Sequence, residues 1–282
     1  MGLKLNAVPR LEYWDSPEWN IYLGRLGLDG SFRRRHWEWA QVAYGLDALG
    51  ALDIHSRGLG VGVGNEPLIF YFATRAGEIV AVDRYRGTWA WGGQANPSML
   101  SEPEKLSLIP FPRERLRVLR MDALRLEFPD ASFDFLWSVG AIEHFGSSIP
   151  KHAFRLVCRS LGMKEWATRY DHAGAVRAIR EMARVLKPGG IAAITTECIL
   201  NGRPHHDYFL PEQLYEYIIE PSGLDLVGND IDWTPSQLFL DHILPKKKWN
   251  TGELPHVVLR DQNGVEFTSI SFFLRKKKEE SP

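Results

Sequence analysis

The chain has 282 residues, a formal net charge of -1, 44% hydrophobic residues and 24% charged residues. This length can hold one large α/β domain, and the near-neutral charge argues against nucleic acid as a partner. No apolar run approaches the roughly 20 residues of a membrane span. Cys158 and Cys198 show no metal or redox spacing, and there is no signal-peptide core. A cytoplasmic protein is therefore expected.

Residues 1–54 precede the first predicted strand and are rich in aromatic side chains. They are predicted to form a helical cap, with a helix from Ser31 to Leu52 and Ser31 as its N-cap. The three arginines at 33–35 could meet an anionic substrate, although a short charge run is usually solvated.

The stretch from Arg57 to Asp83 predicts a strand, a glycine turn, a helix and a second strand. Alternating glycines from Gly58 to Gly64 leave room for a ligand at the strand end. Pro67 suits the first turn of the helix. Asp83 ends the next apolar run about 20 residues beyond the turn, where a carboxylate can bind both ribose hydroxyls. A nucleoside ligand is therefore expected.

The glycine spacing argues against a dinucleotide. No frame gives the G-x-G-x-x-G pattern, and Glu66 stands where the helix starts. A negative side chain there repels a phosphate and suits an ammonium or sulfonium group. A nicotinamide-dependent oxidoreductase is thus a weaker alternative.

Two further strand ends carry polar residues. The segment 116–123 predicts a third strand that ends at Asp122. The segment 128–138 predicts a turn and then a fourth strand. Glu143 and His144 follow that strand.

Together these motifs resemble the class I S-adenosylmethionine-dependent methyltransferases, whose first motif is acid-x-G-x-G-x-G after a strand. The chain departs from it at Gly60, where the family has an acid, and at Glu66, where it has the last glycine. We hypothesise that Glu66 replaces the missing carboxylate and holds the methionine amino group. The resemblance implies S-adenosyl-L-methionine as cofactor, bound by Gly60, Gly62, Gly64, Glu66, Asp83, Arg84, Asp122, Ala123, Ser138 and Val139.

In this resemblance Asp122 accepts the adenine amino group and the Ala123 amide donates to the ring. Glu143 and His144 are the catalytic candidates, since a hydroxyl acceptor loses a proton and the unperturbed pKa of histidine is near 6.5. The alternative is that His144 caps the next helix or packs under the cofactor.

Substrate contacts are expected from two loops that follow predicted strands. These candidates are Trp89, Trp91, His205, His206 and Tyr208. Adjacent ligands such as the histidine pair, with no distant partner, are weak evidence for a metal, so no metal site is predicted. An insertion at about 147–172 is expected to form a lid or a homodimer contact.

The predicted fold is α/β: a Rossmann-like, doubly wound, mostly parallel seven-stranded sheet with an antiparallel last strand and the helical N-terminal cap. Residues 183–197 resemble the family's turn into the fifth strand, and 256–260 with 265–274 predict a hairpin. The methyltransferase domain is placed at 55–275 and a solvated tail at 276–282.

The favoured function is methylation of a small molecule or a glycan precursor, at oxygen. Two alternatives stay open: a binding protein that kept the fold without catalysis, and a methyltransferase of a protein or RNA. The near-neutral charge disfavours the RNA alternative.

Overall fold

A nine-stranded sheet forms the centre of the protein, which is seen in a computed structural model that describes residues 3–85, 94–146, 172–205, 207–246 and 252–278. Its strands are β1 (Arg57–Val61), β2 (Glu78–Asp83), β3 (Leu116–Arg120), β4 (Phe133–Val139), β5 (Leu186–Ile199), β6 (Asp225–Leu226), β7 (Leu244–Pro245), β8 (Leu259–Arg260) and β9 (Glu266–Arg275).

The strand order is β3-β2-β1-β4-β5-β9-β8-β7, with β6 also paired to β9. The first five strands are parallel, and β9 runs antiparallel to β5. This confirms the Rossmann-like α/β prediction and the antiparallel last strand. The sheet has nine strands and not the predicted seven, and three of the nine, β6, β7 and β8, are only two residues long.

Helices flank the sheet. They are α1 (Leu11–Asp15), α2 (Pro17–Arg25), α3 (Arg34–Ala48), α4 (Pro67–Arg75), α5 (Ala173–Val185), α6 (Pro211–Leu214), α7 (Glu220–Ser222) and α8 (Gln237–Asp241), with a π-helical turn Tyr215–Ile219 between α6 and α7. Among the described residues, no helix is long and apolar enough to cross a membrane.

Two local predictions are wrong. Helix α3 begins at Arg34 with Arg33 as N-cap, because the Ser31 hydroxyl bonds the Asp29 carboxylate instead of an α3 amide. The sequence also predicts a weak helix from Ser98 to Leu108, but the structure has two separate 3₁₀ turns there, Pro97–Leu100 and Pro103–Leu106. Proline cannot donate the amide hydrogen bond that a continuous helix needs at position 103.

The N-terminal segment packs directly on the sheet. Ala7 exchanges backbone hydrogen bonds with Ser271 of β9, at 2.9 Å each. In α3, an added Cβ on Gly45 would fall 2.1 Å from the Phe273 ring, so only glycine allows this close approach. Helix α3 is thereby fixed over β5 and β9, and its first turn lies near the carboxyl end of β5. The domain boundaries at 54 and 275 stay predictions.

Candidate cofactor and acceptor site

The glycine turn after β1 is held in shape by the next strand. Gly62 and Gly64 have φ of +70° and +52°, a region that L side chains rarely adopt. The Gly64 amide donates to Asp83 Oδ2 at 2.9 Å, and the Tyr85 hydroxyl donates to the Gly64 carbonyl at 2.9 Å. The turn and the acid predicted to clasp a ribose are therefore in direct contact.

The third strand tip has an arrangement that fits an adenine ring. Asp122 is half-exposed and accepts from the Leu124 amide at 3.0 Å, while Arg84 lies 3.2 Å from its other oxygen. Ala123 is buried, and its amide donates to no acceptor within the described residues. An amide at a strand tip that donates to no protein acceptor can donate to a ligand that accepts a hydrogen bond. The residues present therefore fit S-adenosylmethionine, with Asp83 on the ribose and Asp122 and Ala123 on the base.

Gly60 and Glu66, the two departures from the family motif, are linked through a tryptophan. An added Cβ on Gly60 would fall 2.5 Å from the Trp137 ring, so the glycine makes room for this indole. Trp137 donates to Glu66 Oε1 at 2.5 Å, and Trp39 donates to Glu66 Oε2 at 3.2 Å. Glu66 is thus buried at the start of α4 with a hydrogen bond on each oxygen. That Gly60 and Glu66 contact the cofactor stays a prediction.

Burial raises the pKa of Glu66 to about 8, although the two indole hydrogen bonds oppose the shift. Because the folded pKa lies above the unfolded value, Glu66 should cost stability as the pH rises from about 4.5 to 8, by at most about 1.4 kcal/mol per pH unit. Glu66→Gln should remove this dependence. The variant should therefore become more stable relative to the parent as the pH rises over the same range. Urea unfolding midpoints from pH 5 to 8 measure it; a constant difference between the two proteins would contradict the assignment.

The fourth strand tip lies against the glycine turn. An added Cβ on Gly62 would fall 2.7 Å from the Phe145 ring and 3.0 Å from Ala141. The short turn Ile142–His144 between these contacts carries the two predicted catalytic residues. Ser138 and Val139, the last residues of β4, are buried, and the Ser138 hydroxyl has no hydrogen-bond partner within the described residues.

Glu143, His144 and Glu197 come together at this edge, with their ligand atoms within 4.8 Å of one another. Burial raises the pKa of Glu143 well above its usual range, and the charge of Glu197 raises it further. Burial also opposes ionisation of Glu197, but Arg34 outweighs it and lowers the pKa of Glu197. One carboxyl group of the pair therefore carries a proton. Burial lowers the pKa of His144, which leaves its imidazole neutral at neutral pH.

The cluster is completed by charged residues from α3 that the sequence did not single out as a site. Arg34 donates to Glu197 Oε1 at 2.7 Å and lies 3.4 Å from Glu38. Arg35 donates to the other oxygen of Glu38 at 2.5 Å. The arginine run was noted in the sequence, but two of its members are turned into the protein. For Glu197, the sequence predicted only a position at the end of the segment 183–197, which leads into the fifth strand.

Gly140 leaves space for the Arg35 side chain. Its φ is +53°, and an added Cβ would fall 2.0 Å from Arg35 Nη1. Gly140→Ala should cost about 1–2 kcal/mol of unfolding free energy from left-handed backbone strain, and should push Arg35 off Glu38. Denaturant unfolding measures it. The control is Gly24→Ala, within helix α2, where nothing lies within 4 Å of the added methyl and a neutral or stabilising effect is expected. Equal effects of the two substitutions would contradict the role of Gly140.

The structure describes two of the five predicted substrate residues, His205 and Tyr208. Trp89, Trp91 and His206 lie outside the described residues. Tyr208 is buried and stacks on His205 at 4.3 Å between ring centroids, and Lys246 donates to its hydroxyl at 2.6 Å.

The loop that carries His205 and Tyr208 lies near the cluster of Glu143, His144 and Glu197. Asp207 raises and Lys246 lowers the pKa of His144 through their charges, so both lie within electrostatic range of the imidazole. Lys246, which the sequence analysis did not single out, is thus close enough to His144 for its charge to act on the imidazole. The substrate contacts of His205, His206 and Tyr208 stay predictions.

Comparisons with known proteins agree with this geometry. A family model described as a methyltransferase domain matches residues 59–163. No curated protein sequence matches the chain.

Two solved structures illustrate the likeness in fold. A sarcosine dimethylglycine methyltransferase candidate from Galdieria sulphuraria is 15% identical, covers 93% of this chain and 99% of its own, and has a TM-score of 0.50. Phosphoethanolamine N-methyltransferase 2 from Haemonchus contortus, solved with S-adenosyl-L-methionine, is 17% identical over 85% of this chain and 53% of its own, with a TM-score of 0.49. At such identities the likeness is one of fold.

The matched segment contains the glycine turn, the two acidic strand tips and the Glu-His turn, and the sheet is mostly parallel with an antiparallel last strand, as the resemblance implies. Residues 59–163 therefore match a methyltransferase domain, and the fold is that of the class I S-adenosylmethionine-dependent methyltransferases that the sequence resembles, for which S-adenosylmethionine is the cofactor.

Proposed function

We propose that the protein methylates a hydroxyl group of a small molecule or a glycan precursor. The observation that carries this proposal is the cluster of Glu143, His144 and Glu197 at the carboxyl ends of β4 and β5, beside the glycine turn. A hydroxyl acceptor must lose a proton, and this cluster provides groups that can take one. A nitrogen acceptor that is already neutral would depend less on a group that takes up a proton.

When bound, S-adenosylmethionine supplies an electrophilic methyl group on a sulfonium. The residues of this chain hold the acceptor in line with that methyl group and exclude water, which accounts for most of the acceleration in such displacements. His144 is the candidate proton acceptor: its lowered pKa keeps it neutral, and Glu143 Oε1 lies 3.9 Å from its Nε2. Its side chain is 28% exposed, so an acceptor can reach it.

The cofactor side rests on contacts already described. Asp83 and Asp122 bind the ribose and adenine, and the amide of Ala123 completes the base contact. We extend the proposal to Glu66 as the partner of the methionine amino group, since a cation beside it would offset the burial that disfavours its charged form. Glu66→Ala should then weaken cofactor binding.

The test is methyl transfer from isotopically labelled S-adenosylmethionine to a panel of hydroxylated acceptors that includes nucleotide sugars, oligosaccharides and phenols. Production of S-adenosylhomocysteine with a labelled, O-methylated product is expected. His144→Ala should lower kcat/KM by about 10²–10⁴ and leave cofactor affinity unchanged. Cofactor binding without transfer to any small acceptor, but with label in protein or RNA, would contradict the proposal. Failure to bind the cofactor would favour a binding protein without catalysis.

A further inference from the structure

Each carboxyl group of the Glu143 and Glu197 pair is fixed through one oxygen. Thr196 donates to Glu143 Oε2 at 2.8 Å, and Arg34 donates to Glu197 Oε1 at 2.7 Å. The other two oxygens, Glu143 Oε1 and Glu197 Oε2, are buried and accept no N–H or alcohol O–H hydrogen bond from the described part of the chain, and the two carboxyl groups are close enough to share a proton through a hydrogen bond. The two residues are only 6% and 5% exposed.

One oxygen of each carboxylate and one imidazole nitrogen of His144 all lie within 4.8 Å of one another. Two buried carboxylates cannot both be ionised at such a distance unless a proton or a cation compensates them. Carboxylate oxygens with one imidazole are ligands that divalent first-row ions accept. Anchoring of each carboxylate through its second oxygen is the arrangement that orients ligands around a metal.

We propose that Glu143, His144 and Glu197 form a binding site for one divalent cation, of the Mg²⁺ or Mn²⁺ class, on the acceptor side of the cofactor. No local sequence pattern predicts this site, because the ligands come from two strand ends that are more than 50 residues apart. The cation would replace the proton that the two carboxyl groups share in its absence.

The surrounding charges limit the site to a single ion. Three carboxylates (Glu38, Glu143 and Glu197) face two guanidinium groups (Arg34 and Arg35), which leaves one negative charge. One divalent cation changes this balance to one positive charge, and an acceptor oxygen that has lost its proton would cancel it. Asp207 and Lys246 also act on His144, and their opposite charges offset each other.

This inference rests on the proposed function for its consequence. A divalent cation at this point would lower the pKa of an acceptor hydroxyl that it contacts. His144 would then act as a ligand, and the hydroxyl would need no strong base. Methyl transfer would depend on the metal.

The experiment is calorimetric titration of the full-length protein, stripped with EDTA and dialysed, with MnCl₂, MgCl₂ and ZnCl₂ in turn, with S-adenosylmethionine present. One site per chain is expected for Mn²⁺, confirmed by loss of the free Mn²⁺ electron paramagnetic resonance signal. Glu143→Gln and Glu197→Gln should each weaken it at least tenfold. The matched control is Glu266→Gln, which removes a carboxylate that is paired with Arg260 on the β8–β9 hairpin and is not among the proposed ligands; this variant should bind as the parent does.

Should the buried glutamine variants fail to fold, His144→Ala replaces them, because that side chain is partly exposed. It should also lose at least tenfold in Mn²⁺ affinity. Absence of binding by all three ions, or binding that survives these substitutions, would overturn the site and leave a carboxyl pair that shares a proton. Cofactor titration and the transfer assay, each run in EDTA and with Mn²⁺, separate the two proposals. Cofactor binding and methyl transfer that persist in EDTA would overturn only the cation site, whereas failure to bind the cofactor under both conditions would overturn the proposed function.

Discussion

Asp83→Ala should weaken S-adenosylmethionine binding by roughly 100-fold or more. In the proposed cofactor site this carboxylate accepts from both ribose hydroxyls, and hydrogen bonds to a charged group contribute about 1.5–3 kcal/mol each. The same side chain also fixes the cofactor turn, through the 2.9 Å bond from the Gly64 amide. The substitution therefore removes a direct contact and loosens the backbone that approaches the ligand. Calorimetric titration with the cofactor measures the loss.

Two controls make the result specific. Asp83→Asn keeps an acceptor for the Gly64 amide and should lose less affinity than the alanine variant. Asp225→Ala removes an exposed acid on β6, with only a 3.7 Å contact to Lys277, and should bind as the parent does. Unchanged cofactor affinity in Asp83→Ala would contradict the placement of the ribose at the tip of β2.

Trp137→Ala should lower the free energy of unfolding by about 3–5 kcal/mol, the range for removing a large buried aromatic side chain. The indole is fully buried, packs on Phe72 at 4.8 Å between ring centroids and fills the space above Gly60. Its removal also takes a hydrogen bond from the buried Glu66. Denaturant unfolding at pH 7 measures the change, and Trp137→Phe, which keeps a ring but loses the N–H, should cost less.

A double substitution tests the contact with Gly60 directly. Gly60→Ala in the parent should cost about 1–3 kcal/mol, because the new methyl group overlaps the Trp137 ring. In the Trp137→Ala background the ring is absent and the same substitution should cost less, although Val63 still lies 2.6 Å from the added Cβ. An equal cost in both backgrounds would show that the glycine is required for another reason, such as approach of the cofactor.

The sequence by itself determined the features that depend on neighbouring residues. The glycine turn with Asp83, the strand ending at Asp122 and the turn before β4 are local patterns, because strand tips and tight turns require particular residues at fixed spacing. Their order along the chain was enough to predict the parallel strands and the cofactor. The prediction from local sequence was wrong where a nearby side chain formed a competing hydrogen bond. The Ser31 hydroxyl, which was expected to cap α3, donates to the Asp29 carboxylate instead.

Only the tertiary structure decided which charges meet at the acceptor side. Arg34 and Glu197 are 163 residues apart, and their contact exists because Gly45 lets α3 lie close on β9. Glu66 likewise receives its two indole hydrogen bonds from Trp39 and Trp137, which come from different elements. Burial pairs such groups because an unpaired charge or donor in the interior is costly, and no periodicity along the chain records which partner will satisfy it.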